Sequence, residues 1–301
     1  SCEASVGGGI PILMPLHQSL AANQIESIVG ILNGTTNYIL SQMTETGVNY
    51  ANALADAQKQ GFAEADPTND VCGFDAARKL AILSSIGFRA NVTFDDVLVE
   101  GIEKIDKSDI QYAKDMGYTI KLLTVALRQE NGIALNVYPA FLPDNHPLSS
   151  VKGAYNAIYV TGNIVDDVMF YGRGAGALPT ASAVMGDVIS TAQHILNGST
   201  GTGMIMTDTK RIPFYSSLKL QNSYYFRLDV DDVTGVLSQI AAAFAENDIS
   251  ICEVVQKRKT KGLAELVLIT ELASRESILQ VEKALQVLPC MRKVANVIRV
   301  M

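Results

Sequence analysis

The sequence has no tryptophan, and among its 301 residues there are only three histidines and four cysteines. His17, His146 and His194 are widely separated, so the sequence gives no support for a zinc site or a Ser-His-Asp relay. The cysteines at positions 2, 72, 252 and 290 form no CxxC clip, and a chain of this length does not need disulfides to hold a core. We therefore expect reduced thiols, a cytoplasmic protein and chemistry carried by other groups.

Charge and long apolar runs are also scarce. Charged residues make up 18% of the chain and the formal net charge is −7, which argues against a nucleic-acid partner. The longest apolar runs, such as IPILMPL, are interrupted by Pro11 and Pro15 and are far shorter than the roughly 18 residues of a membrane span. With no nucleic acid and no membrane expected, a small molecule is the favoured partner.

Apolar residues make up 48% of the chain, enough for more than one core at this length. The chain opens on SCEASVGGGIPI, with neither an initiator Met nor a charged segment followed by an apolar one. From this we expect Ser1 to be a cut point inside a longer protein.

Helices dominate the prediction for the first third of the chain. A strand is predicted from Ile25 to Leu32, then a helix capped by Asn33 or Thr35, and then a helix at 50–60 that ends at Gly61. The next helix is expected from about residue 70 to 86. Residues 90–116 are expected to be mostly helical, with a cap at position 93.

Alternating segments at 121–130, 132–142, 155–165 and 167–172 predict an antiparallel or mixed sheet. A helix at 179–197 begins with Pro179. The fold class is therefore α+β: a first region at 1–198 with a mixed sheet packed by helices, a linker at 199–223 and a separate unit at 224–301.

The unit at 224–301 has the order βαββαβ, a ferredoxin-like arrangement. Its stretch DVDDVTGVLSQIAAAFAENDISI resembles the first half of an ACT domain, a small-ligand regulatory module that usually pairs with copies of itself. This resemblance implies an amino-acid effector, such as threonine, at the turn around Gly235 and at Asn247 to Ile249.

Acidic and basic side chains converge between Glu64 and Lys79. Glu64 and Asp70 lie in a loop with Pro67, and Asp75 and Lys79 follow at positions i and i+4 of a helix, on one face. Such a set suits a substrate with an ammonium group and a carbonyl, because carboxylates bind the ammonium and Lys79 can donate a proton to the oxygen.

Plainer interpretations remain open from spacing alone. An Asp75/Lys79 pair is commonly an exposed helix salt bridge of about 0.2–0.5 kcal/mol. Asp70 is also a common type of helix cap. A lysine with its ordinary pKa is an acid rather than a base at neutral pH, so reversible catalysis requires burial or a cationic neighbour such as Arg78.

The run from 57 to 79 resembles the signature of homoserine dehydrogenase, an oxidoreductase of amino-acid biosynthesis. The matching positions are Ala57, Gly61, Phe62, Ala63, Asp66, Pro67, Asp70, Val71, Gly73, Asp75 and Lys79. The similarity extends through EASVGGGIPI at 3–12, GILNGTTNYIL at 30–40 and GRGAGALPTASAVMGD at 172–187, so it covers about residues 2–198.

That resemblance implies roles for the converging residues. Lys79 is the expected acid/base, and Asp75 is expected to bind substrate and align the proton transfer. Glu64 is expected to bind the substrate amino group, Asp70 to belong to the same pocket, and Thr35 to contact substrate.

The resemblance also implies NAD(P)H as cofactor, with Gly176 near its nicotinamide end. The stretch 172–177 nominally fits GxGxxA but lacks the βαβ unit and the distal acidic residue of a Rossmann fingerprint. A tight turn into a helix is the plainer interpretation, and such a turn still lets backbone amides approach a cofactor.

The opening loop is similar to one in which backbone carbonyls hold a monovalent cation. The positions concerned are Glu3, Val6, Gly8 and Ile10, and the implied cation is sodium. Backbone ligands have no side-chain signature, so this expectation comes from the resemblance alone.

The implied reaction interconverts L-aspartate 4-semialdehyde and L-homoserine with NAD(P)H, in threonine, methionine and isoleucine biosynthesis. A homo-oligomer, dimer or tetramer, with feedback through the ACT unit is expected. The family's Rossmann half and a second catalytic lysine are expected to precede Ser1, so the chain alone should show little turnover, and helix 179–197 should pack on that half. The alternative is a non-catalytic amino-acid sensor on a dehydrogenase scaffold.

Overall fold

The computed structural model describes residues 2–199, 212–260 and 262–301, with the backbone alone at 257–260. Residues 200–211 of the linker predicted at 199–223 lie outside the described residues. Within the described residues the strands are β1 (Ile25–Ile31), β2 (Leu98–Val99), β3 (Tyr118–Gln129), β4 (Gly132–Pro143), β5 (Tyr155–Gly162), β6 (Asp166–Arg173), β7 (Gln221–Asp231), β8 (Ile251–Thr260), β9 (Leu263–Thr270), β10 (Ala273–Ser274) and β11 (Met291–Val300).

The helices described are α1 (Gly34–Thr46), α2 (Tyr50–Lys59), α3 (Thr68–Val71), α4 (Phe74–Gly87), α5 (Lys107–Asp115), α6 (Ala177–Leu196), α7 (Val236–Ala245) and α8 (Arg275–Gln286). Short 3-10 turns lie at Glu3–Ser5, Phe94–Asp96, Pro147–Ser150 and Ser217–Lys219, and a π-helical turn at Pro15–Ser19. In the described part of the chain, no helix has the length and apolar character to cross a membrane.

The strands form one mixed sheet in the order β6-β5-β1-β3-β4-β11-β7-β9-β8, with β2 beside β4 and β10 beside β7. The predicted α+β class is confirmed, and the strand and helix order of the last unit matches βαββαβ apart from the short β10. That unit does not stand apart, however. Its last strand runs parallel to β4 through the pairs Arg299/Ala140 and Val300/Phe141, and so continues the sheet of the first region.

Two sheet faces carry the cores. One cluster contains Leu80 of α4, Val137 of β4 and Ile158 of β5, all fully buried, and so joins the helices to one face of the sheet. The other face of the first region buries a smaller cluster that includes Tyr138 and Ala157. Neighbouring residues of a strand point to opposite faces, which explains why Val137 and Tyr138 belong to different clusters.

The helix predicted from 70 to 86 is wrong in one respect, because the chain breaks into α3 and α4 at Gly73. Gly73 has φ +83°, and a Cβ there would lie 3.1 Å from side-chain carbons of Val99 and Val137. A non-glycine residue would meet both backbone strain and crowding at this position.

The mostly helical prediction for 90–116 is also corrected. Thr93 is a cap, as expected, and forms a capping box with Asp96, but it caps only the 3-10 turn Phe94–Asp96. The chain then forms β2, which pairs in parallel with β4, before α5 begins at Lys107. The pairing with a strand distant in sequence overrides the local helical pattern.

Candidate active site

The start of α4 carries Lys79, the expected acid/base, and Asp75, which is expected to bind substrate and align the proton transfer. The break at Gly73 places Asp75 in the first turn of α4 and Lys79 one turn later. Lys79 Nζ lies 2.7 Å from Asp75 Oδ2 and donates to the carbonyl of Leu32 at 3.0 Å. Leu32 directly follows β1, so the ammonium group sits between the helix and the carboxyl end of that strand.

Lys79 retains the capacity to donate a further hydrogen bond. An ammonium group has three N–H donors, and Asp75 and Leu32 accept two of them. Within the described residues no third protein acceptor is within hydrogen-bond distance of Lys79 Nζ. The side chain is 22% exposed, so a small molecule can reach it.

Asn33 joins the two acidic residues. Its Nδ2 donates to Asp70 Oδ1 at 2.7 Å and to Asp75 Oδ2 at 2.9 Å, while its Oδ1 accepts from the backbone N–H of Thr36 at 2.8 Å. Asn33 is therefore the cap of α1, as one of the two predicted possibilities, and it is also part of the site. Sequence reasoning assigned it only the capping role, although the NGTTN stretch that contains it was part of the resemblance.

The structure thus brings together Asp70, Asp75 and Lys79, with Asn33 as the connecting group. Asp70 lies in α3, and its carboxylate is held by Asn33. Its side chain does not cap α4, because Gly73 occupies that position. The plain capping interpretation of Asp70 is therefore wrong for the long helix.

Two of the expected substrate residues lie at the margin of this cluster. Glu64 is exposed in the loop after α2, and its backbone carbonyl accepts from Gln58 Nε2 at 3.1 Å. Among the described residues no hydrogen bond joins the Glu64 carboxylate to Lys79, Asp75 or Asp70. Thr35 is buried, and its hydroxyl donates to the carbonyl of Phe62 at 2.6 Å, which ties the start of α1 to the same loop.

Asp66 and Arg78 have local partners. The Asp66 carboxylate accepts from the hydroxyl and the backbone N–H of Thr68, and these hydrogen bonds hold the pKa of Asp66 below its usual value. Arg78 donates to Asn69 Oδ1 at 3.1 Å and stacks over the ring of Phe94. Its guanidinium is therefore engaged with the loop and the 3-10 turn, rather than with Lys79.

The glycine turn at 172–176 faces the opening loop. A Cβ on Gly8 would lie 2.4 Å from the carbonyl oxygen of Gly174, and Gly9 N–H donates to the carbonyl of Arg173 at 3.0 Å. Gly176 has φ +123° and precedes the first residue of α6. Since L side chains rarely adopt this φ, glycine lets the chain turn here and leaves the backbone open to close approach.

The side chain of Glu3 explains how the opening loop is held. Its carboxylate accepts from the backbone N–H groups of Ile12 at 2.5 Å, Leu13 at 2.8 Å and Met14 at 2.9 Å. Its own N–H donates to Asp187 Oδ2 of α6 at 3.0 Å. Val6 and Ile10 are buried, and Gly8 has φ +54°.

Within the described residues, no group of at least three His, Cys, Asp or Glu side chains is placed to hold a metal. A site made of backbone carbonyls needs no such side chains. The expected sodium ligands therefore stay a prediction.

The expected effector residues fall at the two ends of α7. Gly235, with φ +90°, precedes the helix and lines a cavity of about 180 Å³ beside the end of β7, the start of α7 and residues of β8 and β9. Asn247 and Ile249 follow its other end, where Asn247 Nδ2 donates to the carbonyl of Ala243 at 2.8 Å and Ile249 is buried. A ten-residue helix is about 15 Å long, so one copy of the chain does not bring the two groups together.

Family models agree with this division of the chain. The homoserine dehydrogenase model matches residues 11–189, and the ACT domain model matches residues 224–290. The exact boundaries predicted for the linker stay a prediction.

Relatives match almost the whole chain. It is 44% identical over 307 residues to homoserine dehydrogenase of Mycobacterium tuberculosis, covering 99% of this chain and 69% of the relative. It is 42% identical over 302 residues to the homoserine dehydrogenase of Corynebacterium glutamicum, covering 99% and 67%.

Solved structures give the same result. A homoserine dehydrogenase from Thiobacillus denitrificans superposes with a TM-score of 0.93 at 37% identity, covering 99% of this chain and 69% of that one. A hyperthermophilic archaeal homoserine dehydrogenase mutant in complex with NADPH matches with a TM-score of 0.54 at 27% identity, covering 64% and 55%. The chain belongs to the homoserine dehydrogenase family and carries a carboxy-terminal ACT domain.

Proposed function

We propose that this chain is the catalytic and regulatory part of an enzyme that interconverts L-aspartate 4-semialdehyde and L-homoserine, with Lys79 as the proton donor and acceptor. One observation carries the assignment: Lys79 Nζ is held by Asp75 and by the carbonyl of Leu32, and keeps one N–H free for a substrate oxygen. In the reductive direction the aldehyde carbon gains a hydride while its oxygen gains a proton from Lys79. In the oxidative direction the hydroxyl returns that proton.

The acidic residues hold the substrate and the lysine in place. Asp75 fixes the Lys79 ammonium, and Asn33 fixes Asp75 and Asp70 relative to each other. Glu64, exposed on the neighbouring loop, is the residue that binds the substrate ammonium in this proposal. The Thr35 hydroxyl supports the loop by donating its proton to the carbonyl of Phe62, so this hydroxyl is not free.

The nicotinamide of NAD(P)H supplies the hydride when it is bound. The turn at Gly176 has room for such a planar group. Even a Cβ added to Gly176 would have Pro179 Cδ as its nearest neighbour, at 3.4 Å, so the space beside this residue is open. Gly176 is exposed and leaves the backbone uncovered where α6 begins. The residues present therefore fit the nicotinamide end of the cofactor.

The test is the substitution Lys79→Ala in the full-length enzyme. We expect kcat to fall by at least about a hundredfold, because general acid/base catalysis contributes on the order of 10²–10⁴. Aspartate-semialdehyde-dependent oxidation of NADPH measures it.

Lys152→Ala is the matched control, since Lys152 also pairs with a carboxylate, Glu45 at 3.1 Å, but lies 70% exposed and away from the site. The control should keep its activity. A Lys79→Ala enzyme with full activity would refute the assignment of Lys79.

The names of the relatives favour this catalytic function over a non-catalytic amino-acid sensor. We place amino-acid feedback in the ACT domain, with threonine as the first effector to try, and threonine, methionine and isoleucine biosynthesis as the cytoplasmic context. Because Gly235 and the Asn247 to Ile249 segment lie at opposite ends of α7, a site using both requires two copies of the domain. Calorimetry with threonine should give binding that Gly235→Val abolishes.

A monovalent cation at the opening loop is the remaining part of the proposal. The carbonyls of Glu3, Val6, Gly8 and Ile10 are the proposed ligands, supported by the way the Glu3 carboxylate turns towards Ile12 to Met14 and leaves coordination to the backbone. Sodium should raise the thermal midpoint more than choline at equal ionic strength. Equal midpoints would argue against the site.

A further inference from the structure

Asn156 is a buried polar residue that the proposed reaction does not use. It lies near the start of β5, is 1% exposed, and shares a sheet face with Ile158 and Val160, which pack into the helix-side core. Burying an amide among apolar side chains is unfavourable unless its polar atoms find partners. The partners of Asn156 therefore indicate what it does.

The nitrogen of the Asn156 amide donates a hydrogen bond to the same carbonyl that holds Lys79. Asn156 Nδ2 donates to the carbonyl of Leu32 at 3.0 Å, and Lys79 Nζ donates to the same oxygen at 3.0 Å. A carbonyl oxygen has two lone pairs, so both are occupied. The two nitrogens, each 3.0 Å from one atom, lie no more than about 6 Å apart.

The other side of the amide lies against the glycine turn. A Cβ on Gly174 would lie 2.0 Å from Asn156 Nδ2 and 2.2 Å from its Cγ, so the backbone of Gly174 rests directly on the amide. Within the described residues Asn156 Oδ1 has no hydrogen-bond partner, although it is shielded from solvent. A buried acceptor left unpaired is costly, and folded proteins contain few of them.

We propose that Asn156 is a positioning residue, which sets the distance between the Lys79 ammonium and the glycine turn through the Leu32 carbonyl. It touches neither the reacting atoms nor the substrate, and it acts by holding the acceptor that orients Lys79. The inference rests on the proposed role of Lys79. A purely structural role, joining β1 to β5, is already served by the backbone pairs of those strands, such as Ile31/Ala157.

The test compares Asn156→Ala and Asn156→Asp with Asn136→Ala in the full-length enzyme. Asn136 is also 1% exposed and also has one amide atom without a partner, but it alternates with Val137 and so faces away from α4. For each variant kcat, KM, the pH profile of kcat and the thermal midpoint are measured.

We expect Asn156→Ala to lower kcat at least tenfold while KM changes less than threefold, because the lysine loses its orientation and the substrate keeps its carboxylate contacts. Asn156→Asp places a negative charge within reach of Lys79, which favours the ammonium form. Its pH profile should therefore have the limb for Lys79 deprotonation shifted to higher pH. Asn136→Ala should keep the wild-type kcat and pH profile whatever its thermal midpoint.

Two outcomes overturn the proposal. The first is wild-type kcat in Asn156→Ala. The second is a fall in kcat with an unshifted pH profile in Asn156→Asp and a matching fall in Asn136→Ala, which would indicate general loosening of the sheet. The role of Lys79 is tested separately, since a loss of activity in Lys79→Ala together with normal Asn156 variants removes only this inference.

Discussion

Two ion pairs of the same length lie in different regions of the molecule. Lys79 and Asp75 approach to 2.7 Å at the start of α4, and Arg227 and Asp109 approach to 2.7 Å where β7 of the ACT domain meets α5. The first pair is 22% and 32% exposed, whereas the second is 11% and 0% exposed. The N···O distance alone therefore does not distinguish the proposed catalytic ion pair from a structural one.

The carboxylate of the buried pair has its hydrogen-bonding capacity filled. Asp109 also accepts from the Tyr225 hydroxyl at 3.1 Å, from Asn296 Nδ2 at 2.8 Å and from the backbone N–H of Asp106 at 2.9 Å. Burial, together with the neighbouring Asp109 charge, raises the pKa of Tyr225 above its ordinary value, so its hydroxyl stays a donor. The junction between the two regions is therefore a closed network, and the Lys79 site is an open one.

Breaking the closed network should have the largest effect on stability. Asp109→Ala leaves the Arg227 guanidinium buried without its main partner, and removal of one member of a buried pair costs about 3–5 kcal/mol. Urea unfolding followed by circular dichroism measures the loss.

The control is Asp231→Ala, which removes the partner of Arg292, a residue 60% exposed, and should cost less than about 1 kcal/mol. Equal losses in the two variants would show that the junction is not a buried network in solution.

A second contact at the junction between the two regions should make the stability of the protein depend on pH. Arg299 holds Glu100 through contacts of 2.9 and 3.0 Å. Burial would raise the pKa of Glu100, but the hydrogen bonds and charge of Arg299 outweigh it and lower the pKa below 4.5. The folded state therefore binds a proton less readily than the unfolded state. The stabilisation from the Arg299/Glu100 contact is present above pH 4.5 and is lost as the pH falls through the folded pKa of Glu100.

Glu100→Gln should accordingly lower the free energy of unfolding by about 1 kcal/mol at pH 7. The value is modest because the carboxylate is one third exposed. The difference from the wild type should shrink as the pH is lowered towards 3. Urea unfolding at pH 7, 5, 4 and 3 gives the profile, and a difference that stays constant with pH would contradict it.

The open site should show the opposite balance of effects. Asp75→Asn removes a partly exposed i, i+4 pair, so the free energy of unfolding should change by less than about 0.5 kcal/mol. Activity should fall at least about tenfold, because Lys79 loses the carboxylate that aligns it. Steady-state kinetics and urea unfolding on the same preparation test the contrast, and a variant that loses stability but keeps kcat would reverse it.

Local signals were enough to place much of the chain. The apolar run after position 25 forms β1, Asn33 caps α1, and Gly61 follows the end of α2. The order βαββαβ was also readable, because each of its elements carries its own periodicity. The resemblance supplied the roles of Asp75 and Lys79, which their spacing left undecided.

Contacts between distant segments could not be read in this way. The short strand β2 forms only because β4 lies beside it, and the break at Gly73 reflects crowding by Val99 and Val137. The pairing of β11 with β4 joins Arg299 to Ala140, and the closed network around Asp109 includes a contact across 187 residues, between segments that share no local pattern.

The sequence by itself determined the order of the elements in the ACT domain and the family to which the chain belongs, and it predicted which residues from 57 to 79 carry chemistry. Only the tertiary structure decided that Asn33 and Asn156 flank the site, since both act through hydrogen bonds to groups remote in sequence. It also decided that Glu64 and Thr35 lie at the margin and that the two regions share one sheet. The physical reason is that the periodicity of apolar residues shows which face of a helix or strand is buried. The groups that a side chain contacts depend on which other elements pack against that face.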